Sequence, residues 1–73
     1  MAKEVEYSLA GEEFIPLIAL LKVVRAVGSG GEAQRVVEEG LVRRNGEVEQ
    51  RKRAKIRAGE VVEFAGWRIA IKG

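Results

Sequence analysis

Asn45-Gly46 stands between two short runs, Leu41 to Arg44 and Glu47 to Glu49, and no dipeptide takes positive φ at both central positions of a type I′ turn more readily. The chain must double back there, so a hairpin is predicted and the C-terminal half is committed to a sheet. Downstream, Val61 to Phe64 and the alternation of Trp67, Ile69 and Ile71 with Arg68, Ala70 and Lys72 predict a second strand pair, entered through Ala58-Gly59-Glu60. Ala65-Gly66 links its strands, and because alanine disfavours positive φ the type of that loop stays open. At the other end, Val5 and Tyr7 alternate with Glu4, Glu6 and Ser8, which suits a short half-exposed strand within Met1 to Ser8.

Between these strands the period changes. From Pro16 to Ala26 the apolar residues Leu17, Leu20, Leu21 and Val24 recur at three- and four-residue spacing, and Pro16 suits a first helical turn, where its missing N–H costs nothing. Ile18, Ala19 and Val23 widen that stripe until only Lys22 and Arg25 break it, so part of this helix is expected to meet a partner. Ser29-Gly30-Gly31-Glu32 then predicts an N-cap with a capping box, and Ala33, Val36 and Val37 form the core face of a second helix of about three turns. Gly40 supplies its left-handed C-terminal cap.

A chain of 73 residues accommodates one domain, residues 1–73, with a small core. With 47% hydrophobic and 33% charged residues it is expected to fold and to be water-soluble, and the apolar run Phe14 to Leu21 is too short to cross a bilayer. No membrane role is expected, and no secretory signal pattern is read; cytoplasmic residence is the expectation. His, Cys, Asp and Thr are all absent. That removes the usual general bases near neutral pH, thiolate and threonine nucleophiles, disulfides, and the imidazole and thiolate ligands of transition metals. Glu12-Glu13 and Glu38-Glu39 are adjacent pairs, which diverge on a helix or strand and so cannot converge on one substrate atom. Neither catalysis, nor a metal, nor a cofactor is expected.

Charge is the most informative remaining feature. The net charge is only +2, yet Arg43, Arg44, Arg51, Lys52, Arg53, Lys55 and Arg57 face only Glu47 and Glu49 within residues 43–57, a local +5 that leaves −3 for the rest. Such asymmetry orients a polyanion. Five of these seven cations are arginines, whose planar guanidinium bonds phosphate through two parallel N–H groups and stacks on bases. The glycine turn before the second helix adds unpaired N–H groups and a positive dipole end, although a simple capped turn explains it equally well. Trp67, beside Ile69 and Ile71, reads as a core residue, with base stacking as the alternative; Phe14 and Phe64 read as packing residues.

These pieces together form a recognisable pattern: a helix, Ser29-Gly-Gly-Glu-Ala33, a short helix ending in Gly40, Val42-Arg-Arg-Asn45-Gly46-Glu-Val-Glu49, Arg51-Lys-Arg53 and Ala58-Gly59-Glu60. From about Phe14 to Ile71 the chain resembles the S-four-type RNA-binding domain, the alpha-L motif, and within it the stand-alone bacterial branch of about seventy residues. The resemblance implies an α+β fold, with two helices packed on a small, mainly antiparallel sheet, and RNA held along the junction of both helices with the hairpin. Carried over residue by residue, it implies RNA contacts at Lys22 and Arg25 on the first helix, Ser29 at the cap, and Gln34 and Arg35 on the second helix. It further implies Asn45 and Gly46 at the turn, with Arg51, Lys52, Arg53 and Lys55 completing the strip; the local charge adds Arg43 and Arg44 to the candidate RNA contacts, with Arg44 either snorkelling over the sheet or joining the RNA face. Phosphate contacts fall to the cations, a sugar or phosphate hydrogen bond to Gln34, and the shaping of the surface to Ser29 and Asn45. The chain departs from the family pattern at Gly30, where many members have arginine, at Gln34, where the stand-alone branch often has lysine, and at Arg44, a strand position usually apolar.

The expectation is therefore a non-catalytic, monomeric protein that holds structured RNA, ribosomal or transfer, with a ribosome or a protein as a further partner. The competing expectation is a protein-interaction adaptor that docks through the apolar first helix.

Overall fold

The computed structural model describes residues 3–73. Two helices and seven strands follow one another as β1 (Lys3–Ser8), β2 (Ile15–Pro16), α1 (Leu17–Val23), α2 (Gly30–Glu38), β3 (Val42–Arg44), β4 (Glu47–Val48), β5 (Lys55–Ile56), β6 (Val61–Phe64) and β7 (Trp67–Lys72). Five strands form one sheet in the order β1-β7-β6-β3-β4, and β2 pairs with β5 in a separate ribbon. Within the larger sheet β1 runs parallel to β7, with Val5 opposite Ile69, and the other pairings are antiparallel. The α+β expectation is met, with a parallel edge strand added.

Asn45 and Gly46 take φ of 53° and 87°, the two positive values that a type I′ turn requires. The Asn45 side chain also ties the hairpin to β6, because its Oδ1 accepts from the Val61 N–H at 2.9 Å. Ala65 and Gly66 have φ of 48° and 84°, so the second hairpin makes the same kind of turn with alanine at a position asparagine would fill more cheaply.

Ser29 caps α2, its Oγ accepting from the Glu32 N–H at 3.2 Å. The reciprocal half of the expected capping box is displaced by one residue, since Glu32 Oε1 accepts from Gly28 N–H at 2.6 Å and not from Ser29. Both helices end in a Schellman motif. In α2 the N–H groups of Gly40 and Leu41 reach Val37 O and Val36 O, and Gly40 has φ of 77°. In α1 the N–H groups of Arg25 and Ala26 reach Lys22 O and Leu21 O, and Arg25 has φ of 64°. That left-handed residue ends α1 at Val23, three residues short of the predicted Ala26.

Leu17, Leu20 and Leu21 from α1 and Ala33, Val36 and Val37 from α2 meet Val42, Val62, Ile69 and Ile71 of the sheet in the core. Fully burying such a side chain contributes about 1.5–3 kcal/mol before conformational entropy is charged against it. Of Ile18, Ala19 and Val23, expected as partner surface on α1, Ile18 and Ala19 are half-buried against this core, as is Val24 of the core stripe, whereas Val23 is exposed, at 55%. Packing within the chain thus accounts for Ile18 and Ala19 but not for Val23. Phe64 joins the core edge as expected. Trp67 does not reach full burial: it sits at the end of β7 opposite Phe64 and Lys3, and the Lys3 ammonium lies 4.6 Å from its ring centroid.

Candidate nucleic-acid interface

Pro16 precedes α1 without any side-chain cap, so the first amides of that helix need other acceptors. They find them in the basic segment, with Leu17 N–H donating to Ala54 O at 3.0 Å and Ile18 N–H to Lys52 O at 3.1 Å. Beyond this clamp the chain enters the ribbon, where Ile15 opposes Ile56 and Pro16 opposes Lys55. Ala54 and Ile56 are buried while Arg51, Arg53, Lys55 and Arg57 are exposed. The segment is therefore pinned by its small and apolar positions, and its cations are turned outward.

Those cations surround an open depression of about 550 Å³ lined by Arg44, Arg51, Arg53, Ala54, Lys55 and Arg57. Five of the six lining residues are cationic. Arg44 forms the inner wall and is held in a network: its guanidinium donates to both Glu60 oxygens, to Glu49 Oε1 at 3.4 Å and to Lys55 O at 2.8 Å. Glu49 is 9% exposed and accepts from the backbone N–H, Nε and Nη2 of Arg51 at 3.0–3.1 Å. The Arg51 guanidinium, followed by the backbone N–H of Arg51 and by Arg44, lowers the Glu49 carboxyl to about 2 against the opposing effect of burial. Arg44 likewise holds Glu60 below its ordinary range, and both arginines are raised by their carboxylate partners.

Arg53, Lys55 and Arg57 make no ion pair with an acidic side chain among the described residues. They carry the uncompensated charge of the depression. The four neighbouring cations predicted from sequence fare differently. Arg51 and Arg44 share Glu49 and Glu60, and Lys52 lies 3.1 Å from Glu38 at the end of α2. Arg43 is turned the other way, because adjacent strand residues point to opposite faces. It belongs to a ladder of exposed charges of alternating sign across the outer face of the sheet, Arg43 beside Glu63 beside Arg68 beside Glu4.

The helix residues form a second group at the far end of α1, about 8 Å along its axis from Leu17. Lys22 lies over the start of α2, close enough that a Cβ on Gly30 would stand 3.9 Å from its Nζ, and Arg25 follows in the connecting turn. Ser29 and Asn45 are occupied by the cap and by the hairpin tie. Gln34 is exposed on α2, and Arg35 beside it pairs with Glu39 at 3.4 Å. The expected strip residues thus lie toward both ends of α1, and Arg43 lies on the outer face of the sheet.

Arg57 lines the depression although the expected RNA contacts do not include it. The signal was present in the two-residue spacing of Arg51, Arg53, Lys55 and Arg57, which places alternate side chains on one side of an extended chain. Phe14, expected as a packing residue, immediately precedes β2. It is half-buried yet does not pack on the core, and the Lys55 ammonium and Arg57 guanidinium lie 5.2 Å and 5.9 Å from its ring centroid.

Comparison with known proteins agrees with this architecture. A family profile described as S4 domain matches residues 7–72. YbcJ of Escherichia coli (strain K12) is 40% identical over 65 residues, which are 89% of this chain and 93% of YbcJ, and YbcJ of Shigella flexneri matches equally. The solution structure of E. coli YbcJ, described as revealing an alpha-L motif involved in RNA binding, superposes with a TM-score of 0.76 at 37% identity, covering all of this chain and 92% of that one. On the strength of the profile match and of the relatives aligned over nearly their whole length, the chain belongs to the S4 domain family.

Proposed function

We propose that this protein is a non-catalytic RNA-binding module that holds structured RNA, ribosomal or transfer, in the cationic depression beside the β2–β5 ribbon. The observation that carries the reading is the convergence of Arg53, Lys55 and Arg57, without acidic partners, on one concave surface whose wall is Arg44. Phosphate is the ligand that suits it, since arginine offers two parallel donors to phosphate oxygens and the depression is open along one side. Lys22 and Arg25 extend the positive surface toward the N-terminus of α2 and contact phosphates farther along the RNA. The kinship with YbcJ, whose alpha-L motif is described as involved in RNA binding, supports the same reading. In this reading the protein is a cytoplasmic monomer.

Replacing Arg53, Lys55 and Arg57 together by glutamine tests it. All three side chains are exposed, so the melting temperature should hold to within a few degrees. Affinity for structured RNA should fall on the order of tenfold or more, and the slope of log affinity against log salt should become shallower by about 0.7–0.9 per lost phosphate contact. Unchanged affinity in a folded variant overturns the assignment.

A further inference from the structure

In the β2–β5 ribbon, Ile15 and Ile56 face the core, so by the pleat their neighbours face outward. Continuing the antiparallel register by one step places Phe14 across from Arg57, with Lys55 diagonal to it, and the two cation-to-ring distances of 5.2 Å and 5.9 Å follow from that placement. The outward face of this small ribbon therefore presents one aromatic ring and two cations, and both cations line the depression. Phe14 stands apart from the partly buried side chains that pack on the core, although a residue this apolar would ordinarily be recruited there in so small a molecule.

We propose that Phe14 is a stacking platform for an unpaired nucleobase, so that the RNA taken by the depression is one that carries an unpaired nucleotide beside its helical part. The proposal rests on the RNA-binding reading above and narrows it. A base laid against the ring uses a π surface that is indifferent to base identity, while Lys55 and Arg57 take the adjoining phosphates; base–aromatic stacking of this kind contributes about 1–3 kcal/mol per base. A fully paired helix keeps its bases stacked on each other and offers the ring nothing, so the platform discriminates by RNA shape.

Two RNAs decide it: a fully paired duplex, and the same duplex with one bulged nucleotide, each titrated by fluorescence anisotropy against the wild-type protein, Phe14→Leu and Phe14→Trp. The wild type should prefer the bulged RNA by between about fivefold and a hundredfold. Phe14→Leu, which keeps an apolar side chain on the ribbon, should lose that preference while retaining the duplex affinity and the salt slope, and Phe14→Trp should retain the preference. Absence of preference in the wild type, or a Phe14→Leu loss shared equally by both RNAs, overturns the platform and leaves the RNA-binding reading standing. Failure of the wild type to bind either RNA overturns both.

Discussion

Glu49 accepts four hydrogen bonds from Arg44 and Arg51 while almost wholly buried, which makes it the carboxylate whose charge matters most to the fold. Its carboxyl is lowered from the ordinary 4.5 to about 2, so the stability it contributes is complete above about pH 4.5 and is lost as pH falls toward 2. That contribution is at most about 3 kcal/mol, and Glu60, lowered by Arg44, adds in the same direction. Urea unfolding at pH 7 and pH 3 should therefore show Glu49→Gln less stable than the wild type at pH 7 and markedly less sensitive to acid. Equal acid sensitivity in the two proteins would show that this network does not govern acid unfolding. Arg25 supplies a contrast, because it holds a left-handed conformation that α2 gives to Gly40 in the same motif. Arg25→Gly should stabilise the protein by about 1 kcal/mol, or about 4–8 °C in Tm, and should weaken RNA binding by removing a cation. A melting temperature that falls on this substitution contradicts the account of the α1 terminus.

The two hairpins and the start of α2 were legible because each is written within a few consecutive residues: Asn45-Gly46, Ser29 with Glu32, and the alternation from Trp67 to Lys72. The type of the Ala65-Gly66 turn is not legible in the sequence because alanine resists φ of 48°, and the β6 and β7 pairing overrides that resistance. Ala65→Asn should recover several tenths of a kcal/mol or more, measurable as a higher midpoint in denaturant, and an unchanged or lower midpoint would mean that the turn is not type I′ in solution. Neither the parallel pairing of β1 with β7 nor the ribbon of β2 with β5 could be read from the sequence. The first joins opposite ends of the chain, and the second consists of two-residue strands too short to show any period. That ribbon is where the site departed most from expectation. Without it nothing indicates that Arg57 and Phe14 face the same way, or that the carbonyls of Lys52 and Ala54 cap α1 and fix the basic segment in place.

At the scale of the molecule, charge is sorted by face. The outer side of the sheet carries the balanced ladder that includes Arg43, with Glu4 lying 3.6 Å from Arg68, whereas the depression beside the ribbon gathers five cations, of which Arg53, Lys55 and Arg57 have no acidic partner among the described residues. This sorting is what a modest net charge of +2 conceals, and it is the property on which the proposed function turns. The direct test is the salt dependence of binding to a structured RNA containing an unpaired nucleotide. If the depression engages about four phosphates, log affinity should fall against log salt with a slope of about −3, and the Arg53, Lys55 and Arg57 triple glutamine variant should give a slope shallower by about 2. A slope near zero for the wild type, or the same slope for both proteins, would contradict the claim that these cations hold RNA.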